Sequence, residues 1–116
     1  MGAAIVVTEA DFKPQVLESP IPAVVDFYAD WCGPCVRMTP VVEELAKEFE
    51  GRVKVCKLNV TDSNAIATQY SIMSIPTLIC FKSGQIVAQS VGALTRDQLR
   101  AKLDALLVPA QPAAPA

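Results

Sequence analysis

Cys32 and Cys35 lie three residues apart in Trp31-Cys32-Gly33-Pro34-Cys35. On a helix, positions i and i+3 share a face, so the two sulfurs are able to bond across a first turn. An apolar run, residues 23–29, comes just before this stretch, and an amphipathic run, residues 36–49, just after it. A C-x-x-C pair beside a strand–helix–strand pattern reads as a redox pair. At a helix N-terminus, unpaired N–H groups and the macrodipole favour a thiolate. Cys32 is nearest that end and follows a loop, so it is the expected nucleophile. Cys35, one turn in, is placed to resolve a mixed disulfide. Pro34 is tolerated within a first turn and stiffens the ring.

Two blander readings compete: a pair of inert core cysteines, or half of a zinc site. Zinc calls for a second C-x-x-C or paired histidines, and the chain has no histidine. A four-cysteine site would need Cys56 and Cys80, each inside an apolar strand-like run, to converge on the motif. No metal is therefore expected. The 116 residues fit one domain, and 52% apolar composition excludes a disordered chain. No apolar run approaches the ~20 residues of a membrane-spanning helix. A net charge of −2 without charge blocks argues against nucleic acid and against an anionic membrane surface. The first residues carry neither a basic start nor a long apolar core, so no secretory signal is expected. Together with the cysteine usage, this favours a reducing compartment, the cytoplasm.

The elements that must position the motif can be read around it. Residues 5–7 are a short β-branched strand. Asp11 is an expected N-cap for a short helix with Pro14 in its first turn and Phe12, Val16 and Leu17 on its buried face. Residues 23–29 read as a strand buried on both faces, with one acid, Asp26, inside it. Met38, Val42, Leu45 and Phe49 recur at helical spacing, with Glu43 and Lys47 expected to pair on the other side. Pro40 should kink this helix, and Gly51 should stop it. Residues 53–60 are the next strand, and Ile66, Ala67 and Tyr70 give a short helical face. Residues 78–81 and 85–91 read as a hairpin turning at Ser83-Gly84. Thr95 and Gln98 form a capping box for a last helix that buries Leu99, Leu103, Leu106 and Leu107. The order is β-α-β-α-β-α-β-β-α, an α/β fold with a mixed central sheet and helices on both faces. Residues 1–108 are taken as the domain and 109–116 as a flexible Pro/Ala-rich tail.

At this point the chain resembles the thioredoxin family. The likeness rests on Ala29-Asp30-Trp31-Cys32-Gly33-Pro34-Cys35 and on Asp26, Pro40, Lys57, Ile75-Pro76-Thr77, the Gly84 hairpin and Val91-Gly92-Ala93. It implies the thioredoxin fold and a thiol–disulfide oxidoreductase that reduces protein disulfides. It implies a buried acid, Asp26, that accepts a proton from Cys35, with Lys57 modulating that acid. It implies a cis proline at Pro76, which exposes the backbone of Ile75 to an extended target segment. Trp31, Gly33, Pro34, Val60, Ile75, Pro76, Val91, Gly92 and Ala93 would form the substrate-binding rim around Cys32. No bound cofactor is implied. Reducing equivalents would come from a thioredoxin reductase-type electron donor and pass to disulfide-containing target proteins, with the protein acting as a monomer.

Some positions depart from the family pattern. Tyr28 stands where a second tryptophan is usual, Val36 replaces a common basic residue, and Met73-Ser74 replace the usual pair before Ile75. Cys56 and Cys80 are additional, and buried cysteine usually acts as a small hydrophobe. Two alternatives share the fold: a thiol oxidant or isomerase, and a non-catalytic binding subunit.

Overall fold

Backbone hydrogen bonds, not helix propensity, claim the most apolar stretch of the chain. Residues 23–27 are buried without exception, so their N–H and C=O groups must pair with neighbouring strands. They form the central strand of a five-stranded sheet in a computed structural model that describes residues 3–108. The strands are β1 (Ile5–Val6), β2 (Ala23–Tyr28), β3 (Lys54–Asn59), β4 (Thr77–Lys82) and β5 (Gln85–Val91), in spatial order β1-β3-β2-β4-β5. β3 runs parallel to both β1 and β2, while β4 is antiparallel to β2 and β5. The helices are α1 (Gly33–Glu48), α2 (Asn64–Gln69) and α3 (Arg96–Leu106), with a short helical turn at Lys13–Leu17. The proposed tail, residues 109–116, lies outside the described residues.

Strand alternation sorts the core into two layers. Val24, Val55, Leu78 and Cys80 face α1 and α3, where they meet Leu45, Leu99 and Leu103. Val25, Phe27, Cys56, Leu58 and Ile79 face the other way, toward Phe12 and Val16 of the first turn and Tyr70 beyond α2. Cys56 and Cys80 therefore lie on opposite faces of the sheet. The four cysteines do not converge on one point, which removes the geometry a four-cysteine zinc site needs.

The hairpin and the last helix match their sequence signals. Ser83 and Gly84 both take positive φ, 52° and 78°, as a two-residue turn of that handedness requires. Thr95 Oγ1 accepts from Gln98 N–H while Gln98 Oε1 accepts from Thr95 N–H, the reciprocal capping box. Three expectations fail locally. Asp11 does not cap the first helix; its carboxylate accepts from Thr8 N–H at 2.6 Å, a local side-chain-to-backbone bond that competes with the capping role. Glu43 and Lys47 make no ion pair. α1 pairs instead across to α3, through Glu44–Arg96 and Glu48–Arg100, while Glu43 Oε2 is buried without a partner. Leu107 is exposed, since α3 ends at Leu106 and the chain turns there. α1 continues unbroken through Pro40. Among the described residues, no helix is long and apolar enough to cross a membrane.

Candidate active site

β2 ends at Tyr28, and the chain must leave the sheet before α1 can lie back over it. Residues 29–32 make that exit, closed by Cys32 N–H donating to the Ala29 carbonyl at 3.2 Å. Cys32 is the N-cap of α1, in extended backbone conformation, and its Sγ accepts from Cys35 N–H at 3.2 Å. A sulfur here receives one of the four N–H groups a helix start leaves unpaired. Cys32 and Cys35 are joined as a disulfide, with Cα atoms 5.2 Å apart. Both are buried, whereas Trp31, at 74% exposure, and Gly33 and Pro34 stand open around them.

The loop before β4 supplies the other wall. Ile75–Pro76 is cis, as the sequence resemblance implied, and the Ile75 carbonyl oxygen lies 3.9 Å from Cys32 Sγ. Thr77 Oγ1 donates to the Ser74 carbonyl at 2.6 Å, closing the turn from within. Gly92 N–H donates to the Pro76 carbonyl at 2.8 Å, and Val91 is the register partner of Thr77, so the 91–93 segment is tied beside Pro76. Leu94 N–H meets Met38 Sδ at 3.4 Å, which anchors the same segment to α1. Gly92 has φ of 102°, a backbone conformation that a side chain would strain. Trp31, Val60, Ile72, Met73 and Ile75 line a shallow groove of about 180 Å³ next to Cys32. A larger groove, about 970 Å³ between β5 and α3, lies away from the cysteines.

Asp26 sits on the sheet face that α1 covers, 3% exposed, and its Oδ1 has no hydrogen-bond partner. Burial raises its pKa from 3.8 to about 6, and Lys57 pulls it partly back. Lys57 is the register partner of Asp26 across β2 and β3. Its Nζ lies 4.7 Å from the centre of the Tyr28 ring. Burial also pushes Cys56 up to about 12 and Cys80 up to about 11, which keeps both as neutral thiols.

The structure thus places a disulfide at the start of α1, the Ile75 carbonyl and a shallow groove beside it, and a buried acid on the sheet face that α1 covers. One neighbour escaped the sequence reading. Arg37 Nη1 lies 3.3 Å from where a Cβ on Gly33 would stand, so a cation borders the motif although Val36 is apolar. Its i+4 spacing from Gly33 on α1 was the available signal. Met73, already marked by its sequence as a departure from the family pattern, is 92% exposed and borders the groove.

A vicinal cysteine pair at a helix start, on a mixed sheet with a cis-proline loop opposite, defines a thiol–disulfide oxidoreductase. The thioredoxin family pattern matches residues 3–105, and the chain belongs to the thioredoxin family. It is 48% identical over 104 residues to thioredoxin 1 of Nostoc sp., covering 90% of this chain and 97% of that one. Against thioredoxin 1 of Synechococcus elongatus the identity is 50% over 104 residues, with the same coverage of 90% and 97%. Thioredoxin of Haemophilus influenzae is 48% identical over 99 residues, covering 85% of this chain and 92% of that one.

Proposed function

We propose that this chain reduces protein disulfides generally, with Cys32 attacking and Cys35 resolving. The observation that carries the proposal is the Cys32–Cys35 bond at the N-cap of α1, where the helix favours a thiolate on the first sulfur. The Cys32 thiolate attacks one sulfur of a target disulfide. A Cys32–target bond forms as the other target sulfur leaves as a thiolate. Cys35 then gives its proton to the Asp26 carboxylate, and its sulfur attacks that of Cys32. The internal disulfide forms, the second target thiolate leaves, and two electrons have passed to the target. With a pKa of about 6, Asp26 is ionised at pH 7 yet more basic than an ordinary carboxylate. Lys57 tempers that basicity.

Trp31, Val60, Ile75, Val91, Gly92 and Ala93 form the docking rim, with Gly33, Pro34 and Pro76 shaping it. The Ile75 backbone guides an extended target segment by strand-like pairing. Clustered exposed apolar residues at such a position support a contact surface. The dithiol is restored by a reductase that supplies two electrons, and this chain needs no bound organic cofactor or metal. It works as a monomer in the cytoplasm. Reduction of insulin disulfides, first with dithiothreitol and then with candidate reductases, tests the proposal; turnover is expected, and silence with every donor overturns it. Direction is a separate question, read from a redox titration. A midpoint above about −200 mV would move the protein to the oxidants and isomerases.

A further inference from the structure

Asp26 and Lys57 are register partners on adjacent parallel strands, and their side chains share the sheet face beneath α1. They nevertheless make no ion pair within 4 Å, and Asp26 Oδ1 has no hydrogen-bond partner. The ammonium lies instead 4.7 Å from the Tyr28 ring centre. Tyr28 is two residues beyond Asp26 on β2, and therefore on the same face. We infer that Tyr28 is a positioning residue: its ring face holds the Lys57 ammonium away from Asp26.

A cation over an aromatic face is held by the ring quadrupole, more firmly when partly desolvated. Both Lys57 and Tyr28 are half-buried, which suits such a contact. Burial, then Asp30, raises the Tyr28 phenol above its ordinary value of 10.0, so the ring stays neutral where the enzyme works. Asp30 after β2 and Asp62 after β3 are the exposed carboxylates that act on this corner, and Cys35 enters from α1. Glu43, also on α1, has a buried Oε2 with no partner. Released from the ring, Lys57 has the adjacent, unpaired Asp26 as its nearest alternative on β2. A paired Asp26 would be a weaker base toward Cys35. Tyr28 thereby keeps the acid basic without touching the reacting sulfurs.

This inference rests on the proposed role of Asp26 but is tested separately, through the titration of Asp26 itself. The carboxyl carbon is followed by NMR across pH in the oxidised protein. Tyr28→Leu is expected to lower the Asp26 midpoint by roughly half a pH unit. Tyr28→Phe, which retains the ring, leaves it in place. Tyr28→Trp, a stronger cation-binding face, leaves it unchanged or higher. In a Lys57→Gln background, Tyr28→Leu produces no further fall. A midpoint that rises or stays put in Tyr28→Leu overturns the inference, as does a fall that persists without Lys57. Should Tyr28→Leu not fold, a lowered midpoint in Tyr28→Trp overturns it equally. Failure of the proton-acceptor role would show differently, as unaltered resolution kinetics in Asp26→Asn.

Discussion

Asp26 sets chemistry against stability. Its folded pKa of about 6 lies above the ordinary 3.8, so the unfolded chain ionises first as pH rises. Between those values the unfolded state binds fewer protons, and stability must fall with rising pH. The contribution is intact below about pH 4 and lost through pH 6, amounting to roughly 3 kcal/mol once Asp26 is fully ionised. Asp26→Asn is therefore expected to gain about 2 kcal/mol or more at pH 8 and little at pH 4. Urea unfolding at the two pH values measures the difference, and equal gains at both would remove ionisation as the cause. The same variant should slow release of reduced target if Cys35 gives its proton to Asp26, as proposed above. Rapid-mixing kinetics would show mixed disulfide accumulating. Cys35→Ser goes further and should trap that species outright, visible by mass spectrometry as chain plus target. In Cys32→Ser no adduct should form with a target disulfide, which separates attack from resolution.

Local elements hold the rim by turn and cap chemistry. Thr95→Ala removes the hydroxyl half of the capping box, the acceptor for Gln98 N–H, and should cost about 1 kcal/mol. Because Leu94, the residue before it, bonds Met38, the loss should also loosen the 91–94 segment and weaken target affinity more than it slows resolution. A rise in KM with kcat preserved is the expected signature. Gly84→Ala places a side chain where φ is 78° and its Cβ 3.0 Å from the Leu17 carbonyl oxygen. The expected loss is roughly 1–3 kcal/mol, seen in thermal unfolding, with the redox potential unmoved. The two elements were legible for a plain reason: Ser83-Gly84 and Thr95-x-x-Gln98 act through neighbours in sequence. Asp11 and Glu43 show the limit of such reading. Asp11 takes the Thr8 N–H instead of a helix donor, and Glu43 is buried with Oε2 unpartnered while Glu44 and Glu48 on the same helix pair across to α3.

Across the whole molecule, the sheet divides four cysteines into two reactive and two inert. Cys56 and Cys80 are fully buried on opposite faces, with thiols pushed up to about 12 and about 11. In the reduced native protein, alkylation at pH 8 should label Cys32 first and leave Cys56 and Cys80 untouched until denaturant is added. Peptide mapping against urea concentration reads this directly, and labelling of either one in the native state would give it a role beyond packing. Truncating the core between α1, α3 and the sheet tests the frame itself. Leu45→Ala, fully buried between those layers, should cost about 2–5 kcal/mol.

Periodicity, turn residues and the spacing of Cys32 and Cys35 determined the element order, the buried faces and the reactive pair. Those features arise from interactions within a few residues, or from a pattern repeated along one element. The family resemblance pointed to Ile75 and 91–93 as neighbours of Cys32, but only the tertiary structure decided the contacts: the Ile75 carbonyl at Cys32, Gly92 bonded to Pro76, and Lys57 resting on Tyr28 instead of pairing with Asp26. Each is a contact between segments distant in sequence or a choice between competing partners. Such outcomes depend on strand order and register, which the chain encodes only through the packing of the whole.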